Sequence, residues 1–256
     1  MKLNKEETKL VPKSFEIIGD ILVFANFPKE LKKKEKEIAK EFLTKLKNVK
    51  VVTKKTKNFS GKYRLPKLKI MAGERRKETI HVENGVKIKV NPEKAYFSSK
   101  SSTERLRIAK LIKKDETVLT MFSGVAPYPL TIAKHSKARE IYGIESNPKA
   151  HELGLKNVAL NKFKNILLYK GDVRKILPKI NKKFNRIIMP HPSDSESYLK
   201  LALNKLKPKG VIHIYIFEKE ENFKELKKKY KKFKPKIIKA GSPAPGKFRV
   251  CLELKT

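Results

Sequence analysis

From residue 117 to residue 217 the chain alternates short β-rich runs with segments of helical periodicity, and this rhythm restricts the fold more than any other feature. The runs are Thr117–Phe122, Glu140–Glu145, Ile166–Gly171, Arg186–Met189 and Val211–Phe217. Strands separated by helices pair in parallel, because a parallel neighbour needs a crossover long enough to hold a helix. Helices then cover both faces, which explains why the runs are apolar with little alternation. The pattern predicts an α/β doubly wound sheet over residues 95–256, entered by a helix at Ser101–Ile112. Pro235–Ala240 and Lys247–Glu253, flanking GSPAPG, read as extra strands closing one edge. No internal repeat interrupts the rhythm.

Residues 1–94 have a different texture. FEIIGDILVFAN (Phe15–Asn26) reads as a strand pair around Gly19-Asp20, followed by a helix from about Glu30 to Leu46 and a strand at Val49–Thr53. IHVENGVKIKV reads as a hairpin turning at Asn84-Gly85, since both central residues of its tight turn need positive φ. A smaller N-terminal α+β module is expected here. Near the C-terminus, KELKKKYKKFK reads as an amphipathic helix with Leu226, Tyr230 and Phe233 on one side and lysines in water.

The charge balance narrows the partner. The 63 Lys and Arg outnumber the 26 Asp and Glu, giving a formal net charge of +37, while 39% hydrophobic residues suffice for a core. Lys without matching Glu is not explained by ion-pair networks, so a polyanion is the expected partner. Each phosphate neutralised by Lys or Arg releases counterions without any sequence being read. The single cysteine, Cys251, excludes an internal disulfide and a Cys-rich zinc site, which fits a reducing, cytoplasmic setting. In its alternating context, FRVCLEL, it reads as a buried core thiol. The longest apolar run, Val211–Phe217, is far too short to span a bilayer, and MKLNKEETKL contains no signal core. His81, His135, His151 and His213 carry no metal-ligand spacing and read as structural; no oligomerisation surface stands out, and a monomer is expected.

Three strand tips carry chemistry. VLTMFSGVAPYPLTIAKH delivers a strand into Phe122-Ser123-Gly124, but Ala126 stands where a dinucleotide loop would have a second glycine. The next strand ends at Glu145, where a carboxylate can accept both hydroxyls of a ribose. The following tip, GDV, places Asp172 where it suits an adenine amino group. A fourth tip is Met189-Pro190-His191-Pro192. Two acidic tips without a phosphate-binding glycine loop favour adenosine without a pyrophosphate, and so S-adenosylmethionine over NAD or ATP. His191, between two prolines, is placed to stack on or hydrogen-bond a base.

The order FSGVAPY, GIESNP, GDVR and IIMPHP, with YRLPKLKIMAGE, ETIHVENG and YFSSKSSTERLRI upstream, resembles the class I methyltransferase-fold enzymes that act at position 37 of tRNA. The resemblance runs from about residue 14 onward. Two families share this plan: the guanosine-37 N1-methyltransferases, and the archaeal tRNA wybutosine-synthesising enzyme 2 family. The latter transfers the 3-amino-3-carboxypropyl group of the cofactor to a tricyclic wyosine precursor in phenylalanine tRNA. The methylating family carries a further N-terminal domain, whereas this chain begins with the second module. It also typically has an Asn-containing motif where Pro190-His191-Pro192 stands here. An Asn offers a purine edge both a donor and an acceptor; Pro190 offers neither. Its usual first-loop acid is replaced by Thr120. These departures favour the aminocarboxypropyl transferase.

The resemblance implies cofactor contacts from Ser98 and Arg105, with Phe122 and Gly124 lining the first loop, Glu145 on the ribose, and Asp172 with Val173 around adenine. Arg105 or Lys100 would pair with the methionine carboxylate, or else contact phosphate or solvent. Arg64 and Glu104 match positions that contact the base and act as general base, and Glu104 would take the proton lost from the base carbon. The alternative for Glu104 is an ion pair on a helix. Two rival functions remain: N1 methylation of guanosine-37, and a basic RNA-binding module whose cofactor site has decayed.

Overall fold

The computed structural model describes residues 3–60, 63, 65–190 and 195–256. The chain separates into two compact units, Met1–Glu83 with Lys87–Ser99, and Asn84–Val86 with Lys100–Thr256.

In the first unit, α1 (Lys5–Leu10) precedes the antiparallel pair β1 (Glu16–Ile18) and β2 (Ile21–Phe24). Helix α2 (Glu35–Lys45) leads to β3 (Val51–Ser60), parallel to β2, and β4 (Leu65–Gly73) returns antiparallel to β3. The sheet order is β1-β2-β3-β4, with β5 (Thr79–Glu83) and β6 (Val86–Val90) as a separate ribbon. Leu22, Phe24, Val52 and Met71 on one sheet face bury Ala39 of α2. Phe24 also meets Phe42 edge-on at 5.1 Å. The ribbon turns at Asn84 and Gly85, both with positive φ, as the dipeptide requires. Strand β4 was not expected from the sequence. Lys67 and Lys69 alternate with Leu68 and Ile70 as a strand requires, and Pro66 is tolerated because the strand lies at the sheet edge.

The second unit holds α3 (Ser102–Lys110), β7 (Thr117–Met121), α4 (Pro127–His135), β8 (Glu140–Glu145), α5 (Pro148–Leu160), β9 (Ile166–Lys170) and α6 (Val173–Ile176). After these come β10 (Phe184–Met189), α7 (Leu199–Asn204), β11 (Leu206–Lys219), α8 (Phe223–Lys229), β12 (Lys236–Lys239) and β13 (Lys247–Lys255). The seven-stranded order is β12-β13-β11-β10-β7-β8-β9. Strands β7 to β11 pair in parallel and β13 runs antiparallel to both its neighbours. This is the doubly wound α/β arrangement of the class I methyltransferase fold. The order reverses beside β7, so a crevice opens at the carboxyl ends of β7 and β10. The expected C-terminal helix stops at Lys229; a tighter turn over Lys231–Phe233 follows, still burying Tyr230.

Alternate residues of β11 and β13 divide the two faces. Ile212, Ile214, Ile216, Val250, Leu252 and Leu254 join the main apolar core. His213, Tyr215, Cys251 and Glu253 occupy the other face in paired register. Burial pushes the Cys251 thiol up to about 12, so it is inert. Deeper in the unit, Arg186 of β10 is buried and fully engaged. It donates to Glu116 at 2.9 and 3.1 Å, to the Leu111 carbonyl at 3.0 Å, and lies 2.7 Å from His213 Nε2. Burial and the adjacent Arg186 charge hold His213 well below its ordinary range, so the ring is neutral and accepts at Nε2. Among the described residues, no helix is long and apolar enough to cross a membrane and no side-chain group could hold a metal.

Replacing Arg186 with Met strands the buried Glu116 carboxylate, and urea denaturation is expected to show a loss of about 3–5 kcal/mol. The depressed His213 fixes the sign of a pH effect as well. Below its ordinary 6.5 the unfolded chain binds a proton that the folded chain refuses, so stability falls as pH drops. Comparing urea midpoints at several pH values, His213→Gln removes a slope of up to about 1.4 kcal/mol per pH unit.

Candidate functional site

Strand β7 ends in a loop held in an unusual backbone state: Phe122, Gly124 and Ala126 have φ of 57°, 57° and 68°. For Ala and Phe this left-handed state costs roughly 1–2 kcal/mol each, so the surroundings must impose it. Ser123 N–H donates to the Ile144 carbonyl at 2.9 Å, and Asn157 Nδ2 donates to the Val125 carbonyl at 3.0 Å. Helix α4 then starts with Pro127 at its first position, where no N–H is needed. Gly143 on β8 leaves room for this loop: a Cβ there would lie 2.6 Å from Leu168 Cδ2 and 3.0 Å from Ser123 Oγ.

Glu145 closes the arrangement. Its carboxylate accepts from Gly124 N–H and from Asn147 N–H, each at 2.7 Å. It thereby fastens the β7 loop to the start of α5, whose N-cap is Asn147. The residue is 9% exposed, and burial raises its pKa despite the backbone donors that favour the ionised form. A carboxylate has about four lone-pair sites; Gly124, Asn147 and Ser146 N–H groups use three of them, so acceptor capacity remains for a ligand hydroxyl.

The next tip is built from Asp172, Arg174, Phe122 and Tyr198. Asp172 caps α6 by accepting from Arg174 N–H at 2.8 Å, and the Arg174 guanidinium closes on the same carboxylate. That contact holds the Asp172 pKa below its usual range. Tyr198 meets Phe122 edge-on at 4.9 Å, and Arg174 lies 5.4 Å over the Tyr198 ring. Val173 is 2% exposed and packs into the apolar core, so only its backbone is available to a ligand.

On the rim of β11, Glu104 of α3 is 7% exposed and accepts twice from Arg107 at 2.6 Å and once from Tyr215 Oη. It is a buried helix ion pair with an added tyrosine, not a free carboxylate. Tyr215 follows Ile214, the register partner of Met189, so it sits beside Pro190 at the carboxyl edge. Arg249 lies 4.2 Å over the Tyr215 ring and donates to Ser101 Oγ and the Pro190 carbonyl. Arg105 is 3% exposed and Lys100 is exposed.

The sequence-derived set thus divides. Gly124, Glu145, Phe122, Asp172 and Val173 gather around the tips of β7, β8 and β9, and Glu104 and Arg105 lie on α3 of the same unit. Ser98 belongs to the first unit, where its hydroxyl donates to Glu16 at 3.1 Å. Arg64 and His191 lie outside the described residues. Arg107, Tyr198, Tyr215 and Arg249 were missed. For Tyr215 the only sequence signal was the alternation of His213, Tyr215 and Phe217 against Ile212, Ile214 and Ile216.

The donor set suits S-adenosylmethionine: an acidic side chain at the β8 tip with acceptor capacity to spare, and an aromatic pair beside a second acid.

Comparison with known proteins agrees with this geometry. Residues 79–239 match the TRM5/TYW2 methyltransferase domain and residues 1–76 match the TYW2 N-terminal domain. The chain is 38% identical over 216 residues to the tRNA (guanine(37)-N(1))-methyltransferase Trm5b of Pyrococcus abyssi, covering 84% of this chain and 63% of that protein. It is 30% identical over 252 residues to the tRNA(Phe) (4-demethylwyosine(37)-C(7)) aminocarboxypropyltransferase of Methanocaldococcus jannaschii, covering 94% of this chain and 97% of that one. The crystal structure of Pyrococcus horikoshii TYW2 in complex with MeSAdo superposes with a TM-score of 0.78 at 28% identity, covering 99% and 94%. The chain belongs to the TRM5/TYW2 methyltransferase family, whose members use S-adenosylmethionine to modify position 37 of tRNA.

Proposed function

We propose that the chain transfers the 3-amino-3-carboxypropyl group of S-adenosylmethionine to the tricyclic 4-demethylwyosine base at position 37 of phenylalanine tRNA, releasing methylthioadenosine. The observation that carries this reading is the match of residues 1–76 to the TYW2 type of N-terminal domain. Pro190 supports it, since it follows β10 without the amide that would read a guanine edge. A second reading, methyl transfer to the base at position 37, is favoured by the higher identity to Trm5b, 38% against 30%.

The bound sulfonium supplies an electrophilic carbon and a neutral thioether leaving group. The residues decide which carbon meets the base. Glu145 holds the ribose hydroxyls and Asp172 the adenine amine, with Phe122 and Tyr198 beside the purine ring. That anchorage leaves the aminoacyl arm and the methyl group to compete for the acceptor side, and position alone selects between them. There the base carbon would take the cofactor carbon as its bonding pair passes to sulfur, and Glu104, on motif position, would take the proton lost from that base carbon. The Arg107 fork and Tyr215 hold the Glu104 carboxylate in one orientation, and the alkylated, cationic ring is strongly acidic. Arg64 remains a base contact on motif position, and His191 on its place between two prolines. The first unit, with its share of the excess Lys, orients the tRNA through its phosphates.

Product analysis with labelled cofactor and a tRNA bearing the tricyclic precursor distinguishes the two readings. Methylthioadenosine is the expected product; S-adenosylhomocysteine with a methylated base would replace this reading with the second. For the cofactor site, Glu145→Gln turns an amide N–H toward one backbone donor and removes the charge. Calorimetric titration is expected to show S-adenosylmethionine affinity falling roughly 10- to 100-fold.

A further inference from the structure

The Asp172–Arg174 contact has no part in the transfer, yet it covers the one carboxylate at the β9 tip. Gly171 turns the chain there with a φ of 144°, and a Cβ at this position would lie 2.7 Å from Ile176 Cγ1, so Asp172 is presented by a tight turn. Arg174 Nε reaches Asp172 Oδ1 at 3.2 Å and its terminal nitrogen reaches Oδ2 at 3.0 Å. Both partners face water, with side-chain exposures of 70% and 36%, and an exposed pair of this kind contributes little to stability. Arg174 also lies over Tyr198, which stands edge-on to Phe122. Guanidinium, carboxylate and two aromatic rings therefore form one accessible cluster.

We propose that this cluster is a self-occupied 6-aminopurine subsite: Arg174 sits on the acceptor that the exocyclic amine of adenine takes, and nucleoside binding displaces it from Asp172. The inference rests on the reading that Asp172 faces adenine. An ionised carboxylate accepts hydrogen bonds and donates none, so it welcomes an amine at purine C6 and rejects a carbonyl. The guanidinium has the opposite preference and competes for the same oxygens. Arg174 thus lowers affinity for adenine and narrows the margin by which the site prefers a 6-amine to a 6-carbonyl. The competition is ionic and exposed, so salt weakens it.

Calorimetry on the full chain with two uncharged ligands, methylthioadenosine and methylthioinosine, tests the proposal. Arg174→Ala is expected to bind methylthioadenosine roughly three- to fivefold more tightly, with no gain for methylthioinosine. Raising sodium chloride should tighten methylthioadenosine binding by the unsubstituted protein and leave Arg174→Ala flat. Equal or weaker binding of methylthioadenosine by Arg174→Ala, or an equal gain for both ligands, overturns the proposal. Asp172→Asn separates the underlying reading. If methylthioadenosine affinity survives that change, Asp172 does not face adenine and the subsite falls with it; a loss of roughly tenfold or more places the amine on Asp172 and leaves the Arg174 result decisive.

Discussion

The carboxylate of Glu145 holds the site together. It lies at the end of β8 and takes hydrogen bonds from the loop after β7 and from the first residues before α5. Without an acceptor there, two buried N–H groups would be orphaned and the left-handed states of Phe122 and Ala126 would lose their restraint. The same carboxylate is the natural partner for a ribose. One group thus shapes the pocket and binds in it, with its charge held in a poorly solvated place by backbone dipoles instead of by a cation.

A second polar layer lies on the face of β11 and β13 turned toward α3. From the deep end upward it passes from Arg186, Glu116 and His213 to Glu104, Arg107 and Tyr215, and then to Arg249. The deep part is a satisfied buried network whose job is structural. The outer part ends at Pro190, on the carboxyl edge where an acceptor base would approach. A carboxylate so fully engaged has a fixed orientation.

Much of this was legible beforehand. The five parallel strands, the Asn84-Gly85 turn and the acidic tips at Glu145 and Asp172 all follow from local patterns, because strand, turn and strand end each leave a short-range signature. Strand β4 carries such a signature too, in the alternation of Lys67 and Lys69 with Leu68 and Ile70, but Pro66 within the run argues against a strand until its place at the sheet edge is known. Val173 turns its side chain into the core, which a local pattern does not specify, and leaves only its backbone toward the tip. Glu104 could be read equally as a base or as an ion-pair member. Tyr215, 111 residues away, is what gives it a third hydrogen bond.

The sequence by itself determined the class of fold, the polyanionic character of the partner and the two acidic strand tips, all of which depend on neighbours within a few residues or on totals over the chain. The tertiary structure alone decided that Glu145 ties down the β7 loop, that Arg174 and Tyr198 gather at Asp172, and that Glu104 meets Arg107 and Tyr215 beside Pro190. Each depends on strands far apart in sequence becoming neighbours in the sheet, and period and propensity carry no information about which side chains that pairing brings face to face.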